Sequence, residues 1–584
     1  MSAAMTTHES LSVAILGSGG NGAITTGTVL LDAAARAGRY GLMTRAVGPQ
    51  IRGGESAALL RLGDRPLGCH DDRFDLVLAL DFAKAERFVP HVPMDRATLL
   101  VASDGAGAVP EALTRGRPRV VELPLASTAK DIEGGRANSV ALGFLAAEVG
   151  LPLDALFAAL DEKLERKGAP VVEAARACVR AGAALSDKPA GAAVAARSRT
   201  FATGNQLTGL GALRGGLRFS AGYPITPSTD LLEWLAPRLA DLGGAFVQAE
   251  DELAAIHMAL GAAFGGTPAM TATSGPGLSL MVEALGLAVA AEIPVLVVDV
   301  QRGGPSTGLP TGTEQGDLWI AVHGLHGDAP HLVVAPSGPH DLASTAEWGM
   351  RLAEALQTPT LLLSDQFLGQ ALTVVDEPLR APAVAEGRRP TSNGAYERYA
   401  LTASGVSPRA LPGTAGQAYT ATGLSKTEGA VPSGAPEDHA AQLEKRFQKL
   451  QRFDYGDFWG SVEGDPEAPT AILTWGSPAG AAREASQRLA SEGVPVRVVV
   501  PRLLSPLPVR QLGEALRGVE RLVVLEQTHG GQFFRYVRSE MALPGEVTSL
   551  RRPGPLSFRP GEIVDILRPS AVTPTAQLPL GSAS

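Results

Sequence analysis

Residues 294–308 read PVLVVDVQRGGPSTG. Apart from Asp299 the first seven are apolar, and an apolar run without alternation is what a strand buried on both faces of a parallel sheet requires. That strand hands the chain to Gln301, Arg302 and a pair of glycines. With so little side-chain bulk around it, the Arg302 guanidinium suits bidentate capture of a carboxylate, a structural salt bridge being the other reading. The same grammar recurs outward. AMTAT (269–273) runs through TATSGPG (271–277) into a helix, a rigid small-residue loop that lets a flat or anionic group come close. AFVQAE (245–250) leads into Glu250-Asp251-Glu252 and a helix with Leu253, Ile256, Leu260 and Phe264 on one face. Carboxylates at that junction either serve a ligand or complement the helix dipole. YPITPST (223–229) has two prolines that stiffen a loop, and hydroxyls that bind a ligand or cap a helix over 230–239. PTLLLSD (359–365) is a further buried strand. Strands alternating with helices predict an α/β sheet whose loops converge at the strand ends, where such sheets take ligands.

Before this block, SVAILGSGGNGAITTGTVLLDAAARAG from Ser12 reads as a strand, a glycine turn and a helix. DLVLALD (75–81) and ATLLVASD (97–104) are short buried strands, so residues 10–195 form a first α/β domain. The turn Gly17-Ser18-Gly19-Gly20-Asn21-Gly22 brings backbone amides to a helix start, either for a phosphate-bearing ligand or for tight packing. The Ala-rich stretch 186–200 is a linker, and residues 200–373 form the second domain. Over 374–466 apolar spacing fades and Pro, Gly and Ser rise, which marks an extended connector wrapping another surface, with an exposed helix over 442–451. TAILTWG (470–476), PVRVVVP (495–501) and RLVVLEQ (521–527) make residues 467–584 a third α/β domain. The fold class is therefore three α/β domains.

The 584 residues are 45% hydrophobic and 19% charged, with 51 basic and 60 acidic side chains giving a net charge of −9. Large cores follow, and no general attraction to nucleic acid or anionic lipid. MSAAMTTHES lacks the basic and apolar regions of a secretory signal. The most apolar stretch, 284–300, is interrupted by Glu292, Pro294 and Asp299, so neither export nor a membrane span is expected. Cys69 and Cys178, the two cysteines, cannot provide the four thiolates of an ordinary iron–sulfur cluster.

YPITPST, QAEDELAAIHMALGA, TATSGPGLSLM and QRGGPSTGLPT, in this order, resemble the α subunit of 2-oxoacid:ferredoxin oxidoreductases, especially the 2-oxoglutarate type. The GSGGNG domain looks like the γ subunit of the same family, and the third block is similar to the transketolase C-terminal-type domain of its α subunit. The resemblance implies a γ–α fusion whose second domain is the pyrimidine-binding domain for thiamine diphosphate. It implies oxidative decarboxylation of a 2-oxoacid, most of all 2-oxoglutarate, with coenzyme A taking the acyl group. By position in EDEL, Glu252 is the glutamate that hydrogen-bonds the pyrimidine ring, with Glu250 as alternative. Arg302 and Thr307 fall at the substrate carboxylate, Thr226 on the substrate or cofactor side, Ser274 and Gly275 at the cofactor, and Gly17, Gly19, Gly20 and Gly22 at a phosphate-bearing cofactor.

No GDG motif followed by asparagine, the family's magnesium and diphosphate signature, occurs; Gly316-Asp317-Leu318 does not qualify. The resemblance therefore implies a β subunit that supplies Mg2+, the diphosphate site and a 4Fe–4S cluster, passes electrons to ferredoxin, and pairs with this chain as a cytoplasmic dimer of heterodimers. Two other readings compete. A non-oxidative thiamine enzyme of the acetolactate synthase kind shares TSGPG but needs GDG; a non-catalytic nucleotide- or acyl-CoA-binding module would leave Glu252 and Arg302 dispensable.

Overall fold

In the computed structural model, which describes residues 10–47, 54–188, 191, 199–309, 312–385 and 396–568, three sheets carry the chain. Two compact units contain them. The first unit comprises the chain up to Thr203 together with 371–377 and 559–562. Its eight-stranded sheet runs Arg119–Leu123, Leu99–Ser103, Leu76–Ala79, Ser10–Ser18, Glu55–Gly63, Tyr40–Val47, Leu372–Val375, Thr200–Thr203. The sequence-predicted strands at Ser12, 75–81 and 97–104 form its parallel half. Val13 to Leu16 are completely buried, and the helix Ala23–Arg36 lays Val29, Leu30, Ala33 and Ala34 onto that core.

The other half is antiparallel and includes a departure from the expected boundaries. Thr200–Thr203 and Leu372–Val375 pair with each other, and Leu372–Val375 pairs with Tyr40–Val47. Both ends of the stretch 200–373 thus belong to the first sheet. Four-residue strands carry too little pattern to reveal which sheet they join. Most of the linker stretch 186–200 lies outside the described residues.

The second unit holds the other two sheets. The first of them has the order Leu503–Ser505, Leu332–Val334, Pro359–Asp365, Val295–Gln301, Ala269–Thr273, Phe219–Gly222, Ala245–Gln248, parallel except for Leu503–Ser505. Val295–Gln301 and Pro359–Asp365 are buried at every residue, as their unbroken apolar runs require. The last sheet has the order Gly460–Gly464, Arg497–Pro501, Thr470–Thr474, Arg521–Glu526, Glu546–Arg551. It begins at Gly460, ahead of the expected start at 467. One core joins both sheets, with Leu285, Val297 and Leu363 in the same cluster as Leu473, Val499 and Val524.

The connector packs on this unit. Its helix, Pro436–Gln451, is not simply exposed: Gln442, Lys445, Lys449 and Leu450 are buried. Lys445 and Lys449 reach Glu292 at 2.6 and 3.2 Å, and Arg398 donates to the Glu292 carbonyl at 2.9 Å. Polar residues on a weakly apolar helix read as solvated when their buried counter-charge stands far away in sequence. No helix among the described residues is long and apolar enough to cross a membrane.

Candidate functional site

Val295–Gln301, Ala269–Thr273, Phe219–Gly222 and Ala245–Gln248 lie side by side and run the same way, so their C-terminal ends share one edge. The four quoted loops leave from that edge. Asp251 caps the helix Glu252–Phe264, its side chain accepting from the Ala254 amide at 2.7 Å. That turn directs Glu252 inward, where it is 7% exposed, while Glu250 is exposed. The neighbouring loop makes room for the Glu252 carboxyl. A Cβ on Gly277 would stand 2.1 Å from Thr273 Oγ1 and 2.7 Å from both Cγ and Oε1 of Glu252. Only glycine fits between them. Ser274, the N-cap of the helix Gly275–Ala291, is completely buried with its hydroxyl unpartnered.

Arg302 is 7% exposed and ties the first loop to the fourth, its Nη1 donating to the Thr226 carbonyl at 2.7 Å. Its Nε is buried without a partner. Burial pulls the guanidinium pKa down, and nearby Asp317 opposes the shift. Thr226 and Thr307 are both exposed, Thr307 in a turn closed by the Leu309 amide on the Gly303 carbonyl at 2.7 Å. The hydroxyl expected to cap the next helix does not do so. Ser228 donates back to the Ile225 carbonyl at 2.9 Å, and the helix Thr229–Asp241 has no side-chain cap.

The structure therefore brings Glu252 to Thr273 and Gly277, and Arg302 to Thr226. It also adds residues that motif reading missed. Gln301 donates to the Ser364 carbonyl at 2.9 Å and accepts from the Asp317 amide at 3.0 Å. Gln315 exchanges two bonds with the Gln527 backbone, at 2.8 and 2.9 Å, and donates to the Trp475 carbonyl at 2.8 Å. These two amides fasten the segment 312–317 beneath the loops. Asp317 there touches the start of the helix Gly275–Ala291, since a Cβ on Gly275 would stand 2.7 and 2.8 Å from its carboxylate oxygens. A lone acid in the apolar run PVLVVDV was the available signal that Asp299 has a buried partner.

In the first unit, the glycine turn already holds an anion. Asp81 accepts from the Ser18 amide at 3.0 Å, from the Ser18 hydroxyl at 2.7 Å, and from the Asn21 side chain. Gly17 and Gly22 are packed against Asn21 and Asn138, where a Cβ would come within 2.5 Å of each. Gly19 and Gly20 are exposed.

A thiamine diphosphate pyrimidine fits what these residues present. The site has a buried carboxyl beside a glycine that admits no Cβ, and a buried serine hydroxyl lacking a partner. Comparison with known proteins agrees. Residues 210–445 match the family described as pyruvate flavodoxin/ferredoxin oxidoreductase, thiamine diP-bdg. Residues 12–185 match pyruvate ferredoxin/flavodoxin oxidoreductase, and 468–558 match core domain II of pyruvate:ferredoxin oxidoreductase. The chain is 37% identical over 350 residues to the 2-oxoacid:ferredoxin oxidoreductase subunit alpha of Saccharolobus solfataricus, a match covering 56% of this chain and 55% of that protein. It thus spans about half the length of such relatives. Against the 2-oxoglutarate synthase subunit KorA of Methanothermobacter marburgensis the identity is 33%, over 62% of this chain and 97% of that one. The solved structure of 2-oxoglutarate:ferredoxin oxidoreductase from Magnetococcus marinus, with 2-oxoglutarate, coenzyme A and succinyl-CoA bound, superposes with a TM-score of 0.87 at 35% identity, over 96% of this chain and 99% of that one. On these matches, the chain belongs to the 2-oxoacid:ferredoxin oxidoreductase family.

Proposed function

We propose that this chain is the γ–α subunit of a thiamine diphosphate-dependent 2-oxoacid:ferredoxin oxidoreductase that converts a 2-oxoacid and coenzyme A to an acyl-CoA and carbon dioxide. The observation that carries the reading is the buried Glu252 carboxyl set against Thr273 and Gly277 at adjoining strand ends. 2-Oxoglutarate is the substrate of choice, supported by the name of the KorA relative and by the ligands of the M. marinus structure.

Thiamine diphosphate, when bound, supplies the electron sink for decarboxylation. Glu252 would share a proton with the pyrimidine ring nitrogen, a charge-assisted hydrogen bond strengthened by its dry surroundings. Ser274 and Gly275 would line the ring. Arg302, anchored through Nη1, keeps its buried Nε for the substrate carboxylate, and a hydrogen bond to a charged group is worth about 1.5–3 kcal/mol. Thr226 and Thr307 offer hydroxyls at the rim. In the first unit, Gly19 and Gly20 are the open part of the turn, available to a phosphate of coenzyme A, whereas Gly17 and Gly22 serve packing. A β subunit completes the assembly with Mg2+, the diphosphate site and the 4Fe–4S cluster, and ferredoxin takes the electrons. Two such pairs form a cytoplasmic dimer of heterodimers.

The test is viologen reduction by the chain co-expressed with its β partner, comparing 2-oxoglutarate and pyruvate with and without coenzyme A. CoA-dependent reduction is expected, and Glu252→Gln should lower turnover at least about 100-fold while the complex still assembles. Full turnover in that variant removes Glu252 from the reaction. No reduction by a loaded complex of intact chains refutes the function.

A further inference from the structure

Behind Arg302 two carboxyl groups meet without a cation between them. Asp299, near the end of strand Val295–Gln301, is 0% exposed, and neither of its carboxylate oxygens has a hydrogen-bond donor. Asp317, at the start of the helix Leu318–His323, has its Oδ2 buried in the same condition. The charged groups facing the pair are Arg302, from the loop after the strand, and Glu314, from the segment 312–317. The helix Gly275–Ala291 presents only its uncharged first turn. Its amide end is a partial positive charge that suits one negative charge on the pair. Glu314 is engaged elsewhere, accepting from the Gly554 amide at 3.1 Å.

Two buried carboxyls in contact cannot both ionise at modest cost, so one proton is shared between them. Burial raises both; repulsion by Asp317 lifts Asp299 further, while Asp317 is brought up to about 6, with Glu314 adding to the rise and Asp299 and Arg302 opposing it. The pair therefore carries about one negative charge at neutral pH, and the cation that acts on it is Arg302. No ordinary structural use accounts for such a pair, because a stabilising buried carboxylate takes donors, whereas both oxygens of Asp299 and Oδ2 of Asp317 take none.

We propose that the Asp299–Asp317 pair is the positioning device of Arg302: singly protonated, it balances the guanidinium when no substrate is present, and it takes up one proton from solvent when the substrate carboxylate arrives and replaces its charge. The inference rests on Arg302 receiving the 2-oxoacid as proposed above. Gln301 and Gln315 support it by fixing the backbone on which Asp317 rides, so the response is a proton and not a displacement of the segment.

The test uses the co-purified complex. The KM for 2-oxoglutarate and the Ki of 2-hydroxyglutarate, an unreactive acid with the same carboxylates, are measured from pH 5.5 to 8, together with infrared difference spectra over that range. In the natural protein both constants should rise with pH above about 6, by up to about tenfold per pH unit, while kcat does not follow. Asp317→Asn leaves the pair neutral, so the constants should be low and flat. Asp299→Asn supplies an amide donor that keeps Asp317 ionised, so they should be high and flat. Opposite displacement by two isosteric changes is something a packing role would not produce. A protonated carboxyl C=O band should titrate with pH in the natural complex, stay at constant intensity in Asp317→Asn, where Asp299 keeps its proton, and be absent from Asp299→Asn, where Asp317 is ionised. Constants that stay level with pH in the natural protein, or the same slope in both variants, overturn the inference while leaving the function intact. A complex that turns over no 2-oxoacid defeats the functional reading instead. In that event, or where the variants fail to assemble, the infrared titration of the natural complex decides whether the pair holds its proton, and absence of the band overturns the proposal.

Discussion

Replacing Gly277 with alanine adds one carbon at the point where the two halves of the proposed pyrimidine site meet. That carbon would stand 2.1 Å from Thr273 Oγ1 and 2.7 Å from Glu252 Cγ and Oε1, against 3.4 Å for ordinary contact. Relief therefore needs 1.3 Å at the hydroxyl, the difference between 3.4 and 2.1, and 0.7 Å at the carboxyl, the difference between 3.4 and 2.7. Thr273 is β-branched and completely buried, which leaves it little rotamer freedom, so most of the shift falls on Glu252. A misplacement of this order costs roughly 100-fold in rate where geometry is critical. Stability should change less: overpacking costs about 1–3 kcal/mol and the gain in helix propensity returns about 1. The assay is kcat/KM for viologen reduction alongside thiamine diphosphate affinity by fluorescence titration. Gly286→Ala, in the same helix and with nothing within 4 Å of the new carbon, is the control and should behave as the natural protein. Natural kcat/KM and cofactor affinity in Gly277→Ala would refute the idea that this glycine seats Glu252.

Arg302→Lys keeps the charge but loses the fork that bonds Thr226 and a carboxylate together, so KM should rise about tenfold or more with assembly unchanged; an unaltered KM would free Arg302 from the substrate. Glu292→Gln leaves Lys445 and Lys449 buried without their carboxylate, while the Arg398 bond to the residue-292 carbonyl is kept, and should destabilise the second unit by about 3–5 kcal/mol, read as a lower melting temperature; an unchanged melt would show that the cations find other compensation. Burial, with Arg559 and Arg61 nearby, pushes the His70 imidazole down to about 3. Its folded pKa lies below the unfolded value, so the unfolded chain binds more protons between about 3 and 6.5, and the first unit loses stability as pH falls through that window, by about 1–2 kcal/mol at pH 5. His70→Gln should flatten that loss, and an identical acid melt in the variant would assign it elsewhere.

Strands announced by unbroken aliphatic runs were legible because burial on both faces leaves a one-dimensional trace. Ala269–Thr273 and Pro359–Asp365 have the bounds expected of them. Tyr40–Val47 and Glu55–Gly63 leave no such trace, since Arg45, Arg61 and Glu55 break the pattern of a pair whose meaning lies in its antiparallel register. In the site, Glu252 and Arg302 stand in quotable motifs, and the structure buries both. The supports around them were invisible for a different reason. Gln315 is fastened by Gln527 and Trp475, 212 and 160 residues away, and no local spacing encodes such a partner. In the sequence Asp299 stands only as an interruption of an apolar run; its meaning requires Asp317, which the fold brings beneath the same loops.

The return of Leu372–Val375 to the first sheet has a consequence for synthesis. As the ribosome works, Tyr40–Val47 emerges early and finds Glu55–Gly63 on one side, but its other edge waits for a strand encoded more than 300 residues later. At about 5–20 residues per second that edge stays open for roughly 20–60 s. An uncovered strand edge is a template for wrong pairing, so the nascent chain needs shelter over that interval. The same arrangement limits how the gene could be divided. A cut in the stretch 186–200 leaves an upstream product without the two outer strands of its own sheet, and a downstream product carrying both of them with nothing to pair against but each other.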